Sequence, residues 1–149
     1  MMVNKNCKLF LYIKYIKMTT LENQENIGQI VLVLTDVLNQ LKIYHWQTQS
    51  YARHKASCQL IEQLTGMTDK IIETIQGSKN TRLIIPLNFN TIKLNNQTDK
   101  SIEELLVYFK NWLNEKFAKY LSNKDKDILN MRDELLGNVN QTLYLFTFK

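Results

Sequence analysis

The 149-residue chain has only four glycines and one proline, too few to punctuate the many short turns of a β fold. Long stretches of it repeat apolar side chains at a helical period, so its stripes have to be buried helix against helix. Ile27, Ile30, Val31, Leu34, Val37, Leu38 and Leu41 predict a first helix from about Asn26 to Trp46, with His45 on the continuation of the stripe. Leu60, Leu64, Met67, Ile71 and Ile75 predict a second from about Ala52 to Gln76, with Gly77 as its C-cap. Ile102, Leu105, Leu106, Phe109, Leu113, Phe117 and Tyr120 carry a third from Ser101 to about Leu121, opening on a Ser101/Glu104 capping box. The fourth runs from about Asp125 to Phe146 on Leu129, Leu136, Val139, Leu143 and Phe146, and Gly137 inside it points to close packing there.

Residues 78–100 break the helical pattern. A link of this length is what a bundle needs when its second and third helices are parallel, because the chain must then cross the length of the bundle. Leu83, Ile84, Ile85, Leu87, Phe89, Ile92 and Leu94 give it apolar side chains to lay on the bundle; Pro86 and the asparagines weaken a β element. The expected fold class is therefore all-α, a four-helix bundle with a long crossover between helices 2 and 3, in one domain spanning 21–149. No phosphate-binding glycine loop, Cys-x-x-Cys pair or serine nucleophile motif occurs.

The net charge of +5 is uneven. Lys5, Lys8, Lys14 and Lys17 precede every acidic residue; the other 15 of the 19 Lys and Arg nearly balance the 14 Asp and Glu. A basic arm of this kind can contact nucleic acid phosphates weakly, several arms acting together in an oligomer. The simpler expectation is that residues 1–20 are a disordered extension, or that translation starts at Met18. The apolar run within them is too short to span a membrane. Cys7 and Cys58 offer no disulfide framework, which favours a reducing intracellular compartment and a soluble protein.

The residues with chemistry gather between Tyr44 and Glu73. His45 ends the first helix and His54 opens the second, so a helical hairpin brings the only two imidazoles of the chain together. Asp69 and Glu73 follow at i, i+4, on one face of the second helix. Imidazole and carboxylate together suit iron or manganese, and also zinc. His54 and Asp69 are fifteen positions apart on one helix, about 22 Å at 1.5 Å per residue. A shared metal therefore needs carboxylates from a second chain, with two copies of the helix antiparallel across a two-fold axis. Taken without the histidines, Asp69 and Glu73 would be ordinary solvated carboxylates.

The stretch resembles the Dps group of ferritin-like proteins: His45-Trp46 at the end of helix one, His54 near the start of helix two, and Asp69-x-x-x-Glu73 below it. More narrowly, HWQTQSYARHKA is similar to an uncharacterised ferritin-like family of large DNA viruses. The resemblance implies a ferritin-like bundle and a ferroxidase centre between subunits, with His45, His54, Asp69 and Glu73 as ligands. Glu73 would bridge two metals and Trp46 would intercept oxidising equivalents. It implies iron sequestration and oxidative protection, in a homo-oligomer located in a host cytoplasm or a virion if viral. Two departures stand out. The segment between His45 and His54 is short for the group, and Cys58 stands where the group usually has a metal-binding acid; a thiolate there favours softer metals such as zinc. The competing expectation is a non-catalytic helical oligomer with a degenerate or zinc-binding site.

Overall fold

A computed structural model describes residues 5–85 and 92–148, with side chains from Gln24 onward. The described residues form four α-helices, α1 (Lys5–Gln47), α2 (Tyr51–Lys79), α3 (Asp99–Glu115) and α4 (Lys126–Leu145), with a 3-10 turn at Phe117–Tyr120. No strand occurs among the described residues, and no helix among them is long and apolar enough to cross a membrane.

The expected all-helical bundle is what forms, and the core shows why. On α1 the buried large apolar side chains among the described residues are Ile27, Ile30, Leu34, Val37, Leu41 and Tyr44, spaced alternately by three and four, the seam of a helix that packs along its length. Ala56, Leu60, Leu64, Met67, Ile71 and Ile75 answer from α2, Ile102, Leu106, Phe109 and Leu113 from α3, and Ile128, Leu135, Val139 and Phe146 from the α4 segment. α1 packs on α2 and α3, and α4 packs on the same two. The end of the α1 stripe is Tyr44, not His45; one residue further round the helix, His45 sits half-buried at the edge of the seam.

Helix ends differ from the sequence expectation where caps compete. α1 begins at Lys5, so from there on the expected N-terminal extension is helical. The side chains of Lys5, Lys8, Lys14 and Lys17, and with them the expected DNA contacts, lie outside the described residues. α2 runs through Gly77 and stops at Asn80, whose φ of 46° is left-handed. Asparagine tolerates that conformation, and the backbone N–H of Asn80 closes on the Gly77 carbonyl. α3 starts one turn before the expected capping box: the Thr98 hydroxyl accepts from the Ser101 amide (3.1 Å) and the Ser101 hydroxyl from the Thr98 amide (2.8 Å). Gly137 is exposed, and an added Cβ there would meet nothing, so it marks no close packing. On α4, Ile128 takes the core position expected of Leu129. Arg132 donates to the Leu113 carbonyl (3.3 Å), which makes it an α3–α4 tie within the chain.

In the connection after α2, Leu83 packs on the core, whereas Ile84, Ile85 and Leu94 are exposed. Pro86, Leu87 and Phe89 lie outside the described residues. Its second half is held by amides more than by apolar contact. Buried Gln40 on α1 donates to the Lys93 carbonyl (2.8 Å) and accepts from the Gln97 side chain (2.8 Å). Two turns on, Gln47 accepts from the Gln97 amide (2.7 Å) and donates to Asn96 (2.9 Å). These side chains satisfy backbone groups that no secondary structure pairs.

Asp125, ahead of α4, fixes the opposite end. Its carboxylate accepts from the Ser122 amide (2.7 Å) and from Lys79 Nζ at the end of α2 (2.9 Å). Burial would raise its pKa, but the Ser122 amide and the Lys79 ammonium outweigh burial and hold it below the usual carboxylate range. A depressed folded-state pKa contributes stability at neutral pH that is lost as pH falls below about 4. Asp125→Asn is expected to lower stability by about 1–2 kcal/mol at neutral pH. It should also make the acid limb of the pH–stability curve shallower, as measured by urea unfolding between neutral and acid pH.

Candidate metal centre

The turn Thr48–Ser50 is short enough that the last turn of α1 and the first turn of α2 stand side by side. Ser50 caps α2, its hydroxyl accepting from the Arg53 amide (3.3 Å). This brings His45 and His54 into a ring stack with centroids 3.9 Å apart and planes inclined by 23°. Each ring is tied to the other helix. His54 Nδ1 lies 3.0 Å from the His45 carbonyl, an acceptor only, so Nδ1 carries the proton. His45 Nδ1 lies 3.2 Å from the His54 carbonyl and 3.1 Å from Ser57 Oγ. The Ser57 hydroxyl spends its own proton on the His54 carbonyl (2.9 Å), leaving its lone pairs to accept from His45. In its neutral form each imidazole is thus held as the Nδ1–H tautomer, which leaves the Nε2 lone pair available. A carbonyl on Nδ1 is the usual way a protein orients a metal-ligating histidine.

The stack also limits what the pair can do. An imidazole lone pair lies in the plane of its ring, and two planes this nearly parallel at 3.9 Å converge well beyond the ~2 Å reach of a metal–nitrogen bond. The two rings therefore suit two separate ions rather than the chelation of one.

The remaining sequence candidates are placed apart. Trp46 is 71% exposed beside the turn. Cys58 is a free, half-buried thiol one helical turn after His54. Asp69 and Glu73 are exposed on α2 and make no ion pair or side-chain hydrogen bond among the described residues. Because α2 is continuous from Tyr51 to Lys79, the separation of about 22 Å between His54 and Asp69 holds within one chain. Among the described residues no three His, Cys, Asp or Glu side chains cluster closely enough to hold an ion, so Cys58 does not complete a site with the two histidines.

Beneath the histidines lies a polar cluster that the sequence reading missed. Arg53, with its side chain only 14% exposed, pairs with Glu103 and with Asp99 (3.7 Å), donates to the Tyr44 hydroxyl (3.3 Å) and lies over the Phe146 ring, 5.0 Å from its centroid. Tyr44 in turn donates to Asp99 (2.7 Å). Burial pushes the Tyr44 hydroxyl above its usual pKa. Burial alone would lower the Arg53 pKa, but its partners Tyr44, Glu103 and Asp99 hold it up, so the guanidinium stays charged. The available signal was the alternating three-and-four spacing of the α1 seam, which ends on Tyr44 and places a hydroxyl inside the bundle. Nothing in the sequence paired Arg53 with acids some fifty positions away.

Comparison with characterised proteins and with solved structures gave no match. A family model does match, over residues 45–146, from the first histidine of the stack to the phenylalanine under Arg53. That span covers most of the chain, which belongs to a family of unknown function (DUF5856).

Proposed function

We propose that the chain is a Dps-like member of the ferritin-like class that takes Fe(II) as substrate between two copies of itself and oxidises it with oxygen or peroxide. The reading rests on the histidine pair: two imidazoles pinned through Nδ1 by carbonyls, with Nε2 left to bind, while Asp69 and Glu73 stand exposed lower on the same helix and make no ion pair among the described residues. A second α2 running antiparallel across a two-fold axis brings the carboxylates of one copy to the histidines of the other, giving two equivalent sites per dimer. His45, His54, Asp69 and Glu73 are then the ligands, each ring serving its own ion and Glu73 bridging the two. Each Fe(II) gives up one electron, which the oxidant takes up with protons on its way to peroxide or water. Trp46, next in sequence to His45, would intercept stray oxidising equivalents, as the resemblance to the Dps group implies. Iron sequestration and protection from peroxide follow from this chemistry.

Two further observations favour the reading. The connection leaves α2 at Asn80 and enters α3 at Asp99, which is bonded to Tyr44 and paired with Arg53 at the other end of the bundle. That path supports a long ferritin-like crossover and a parallel α2 and α3. Gly66 sits exposed in mid-helix on α2, and an added Cβ would meet nothing within the chain. An unsupported helix-interior glycine costs about 1 kcal/mol relative to alanine; like the equally open Gly137 on α4, Gly66 leaves room for close approach of a neighbouring copy without requiring one. Manganese or zinc are the alternative ions. Lys5, Lys8, Lys14 and Lys17 would add weak DNA binding, and a viral source would place the oligomer in host cytoplasm or virion.

A second reading is a non-catalytic helical oligomer with a degenerate or zinc-binding site. Cys58, in place of an acid one turn after His54, is the observation that favours it.

Fe(II) oxidation under air, followed optically, is expected to be at least about tenfold slower in Glu73→Ala than in the intact protein; equal rates in the two would sink the ferroxidase reading. For Gly66→Ala the monomer should gain about 0.5–1 kcal/mol, while sedimentation shows a smaller dimer fraction. A dimer fraction that does not change would remove α2 from the interface.

A further inference from the structure

We propose that Arg53 is the positioning residue of the histidine pair: its clamp on Tyr44, Asp99 and Glu103 sets the register of α1 against α2 at which each Nδ1 reaches the carbonyl of the other histidine. The inference rests on the reading of His45 and His54 as ligands. Tyr44 precedes His45 and Arg53 precedes His54, so clamp and stack join the same two turns of helix. Consecutive helical residues point about 100° apart, which turns Tyr44 and Arg53 inward while the two rings stand at the edge of the seam.

The register has little slack. Of the two Nδ1–carbonyl distances, 3.0 Å at His54 is ordinary and 3.2 Å at His45 is at the upper end of the hydrogen-bond range. A slip of one residue along either helix is 1.5 Å and would break both. The apolar contacts around Leu41 and Ala56 interlock the helices but fix no bond direction. The guanidinium adds direction: its fork donates to the Tyr44 hydroxyl on α1 (3.3 Å) and to Glu103 on α3, with Asp99 of α3 as an ion-pair partner at 3.7 Å. Phe146 under its face adds the α4 segment, so the first turn of α2 is held against the other three helices at one side chain.

The test is imidazole nitrogen NMR on the metal-free full chain, at a pH where both rings are neutral, comparing intact protein with Arg53→Lys. A lysine keeps the charge but has no fork to span the three oxygens. The intact protein is expected to show the Nδ1–H tautomer at both rings, and Arg53→Lys to lose it at both. Lys79→Met, which breaks the Lys79–Asp125 pair at the opposite end of the bundle, should be destabilised yet keep both tautomers. If Arg53→Lys fails to fold, Asp99→Asn and Glu103→Gln each remove one arm of the clamp and should each cause partial loss. Nδ1–H tautomers that survive in Arg53→Lys, or that are missing from the intact protein, overturn the proposal. A parallel Co(II) titration separates this from the function above: Arg53→Lys should bind at least about tenfold more weakly. An intact protein that holds no Co(II) counts against the metal reading, while the tautomer result still decides the role of Arg53.

Discussion

A half-buried guanidinium set between helices is best met by oxygen atoms, and in this molecule those oxygens come from different helices. Arg53 on α2 reaches Tyr44 on α1 and Asp99 and Glu103 on α3, with the Phe146 ring of the α4 segment beneath it. The apolar seam supplies most of the favourable free energy of the bundle and interlocks the helices. The charge adds direction, since losing the hydrogen bonds of a charged group costs about 1–3 kcal/mol. One end of the bundle is thereby fixed in register, and it is the end that carries the histidines. The other end is held by a smaller version of the same device, in which Lys79 and the Ser122 amide meet Asp125.

Fixing the register has a chemical consequence. The two imidazoles are stacked, which by itself would leave their tautomers open. Reciprocal carbonyl contacts decide them, and Ser57 removes the remaining ambiguity at His45 by spending its hydroxyl proton elsewhere. Among the described residues no third His, Cys, Asp or Glu side chain joins the pair. The rigidity of α2 then works in the opposite direction, keeping Asp69 and Glu73 away from the histidines of their own chain. In the function proposed here, a two-fold axis would join the histidines of one copy to the carboxylates of the other.

The long connection is secured in a different manner. Its apolar side chains Ile84, Ile85 and Leu94 stay exposed, and Gln40 and Gln47 on α1 hold residues 93–97 by their amides. An irregular segment carries backbone groups that need partners, and glutamines on a helix face can supply both donors and acceptors without imposing a strand. The segment thus delivers Asp99 to the Arg53 cluster, linking how the chain travels between helices to how the histidine end is built.

Apolar periodicity determined the four helices, their order and most of the core; on α4 it missed by one residue, since Ile128, Leu135 and Thr142 are buried where Leu129, Leu136 and Leu143 were expected. It also determined that one copy of α2 cannot bring His54 and Asp69 together, a matter of rise per residue alone. Helix ends were less legible: Asn80 displaced Gly77 as a cap, and Thr98 displaced Ser101, since several residues near a terminus can satisfy the same backbone groups and packing chooses among them. The stack, its tautomers and the Arg53 cluster belong to tertiary structure. They depend on side chains nine to fifty positions apart meeting across helices, and hydrogen-bond geometry at that range is set by three-dimensional register, which no local pattern in the sequence encodes.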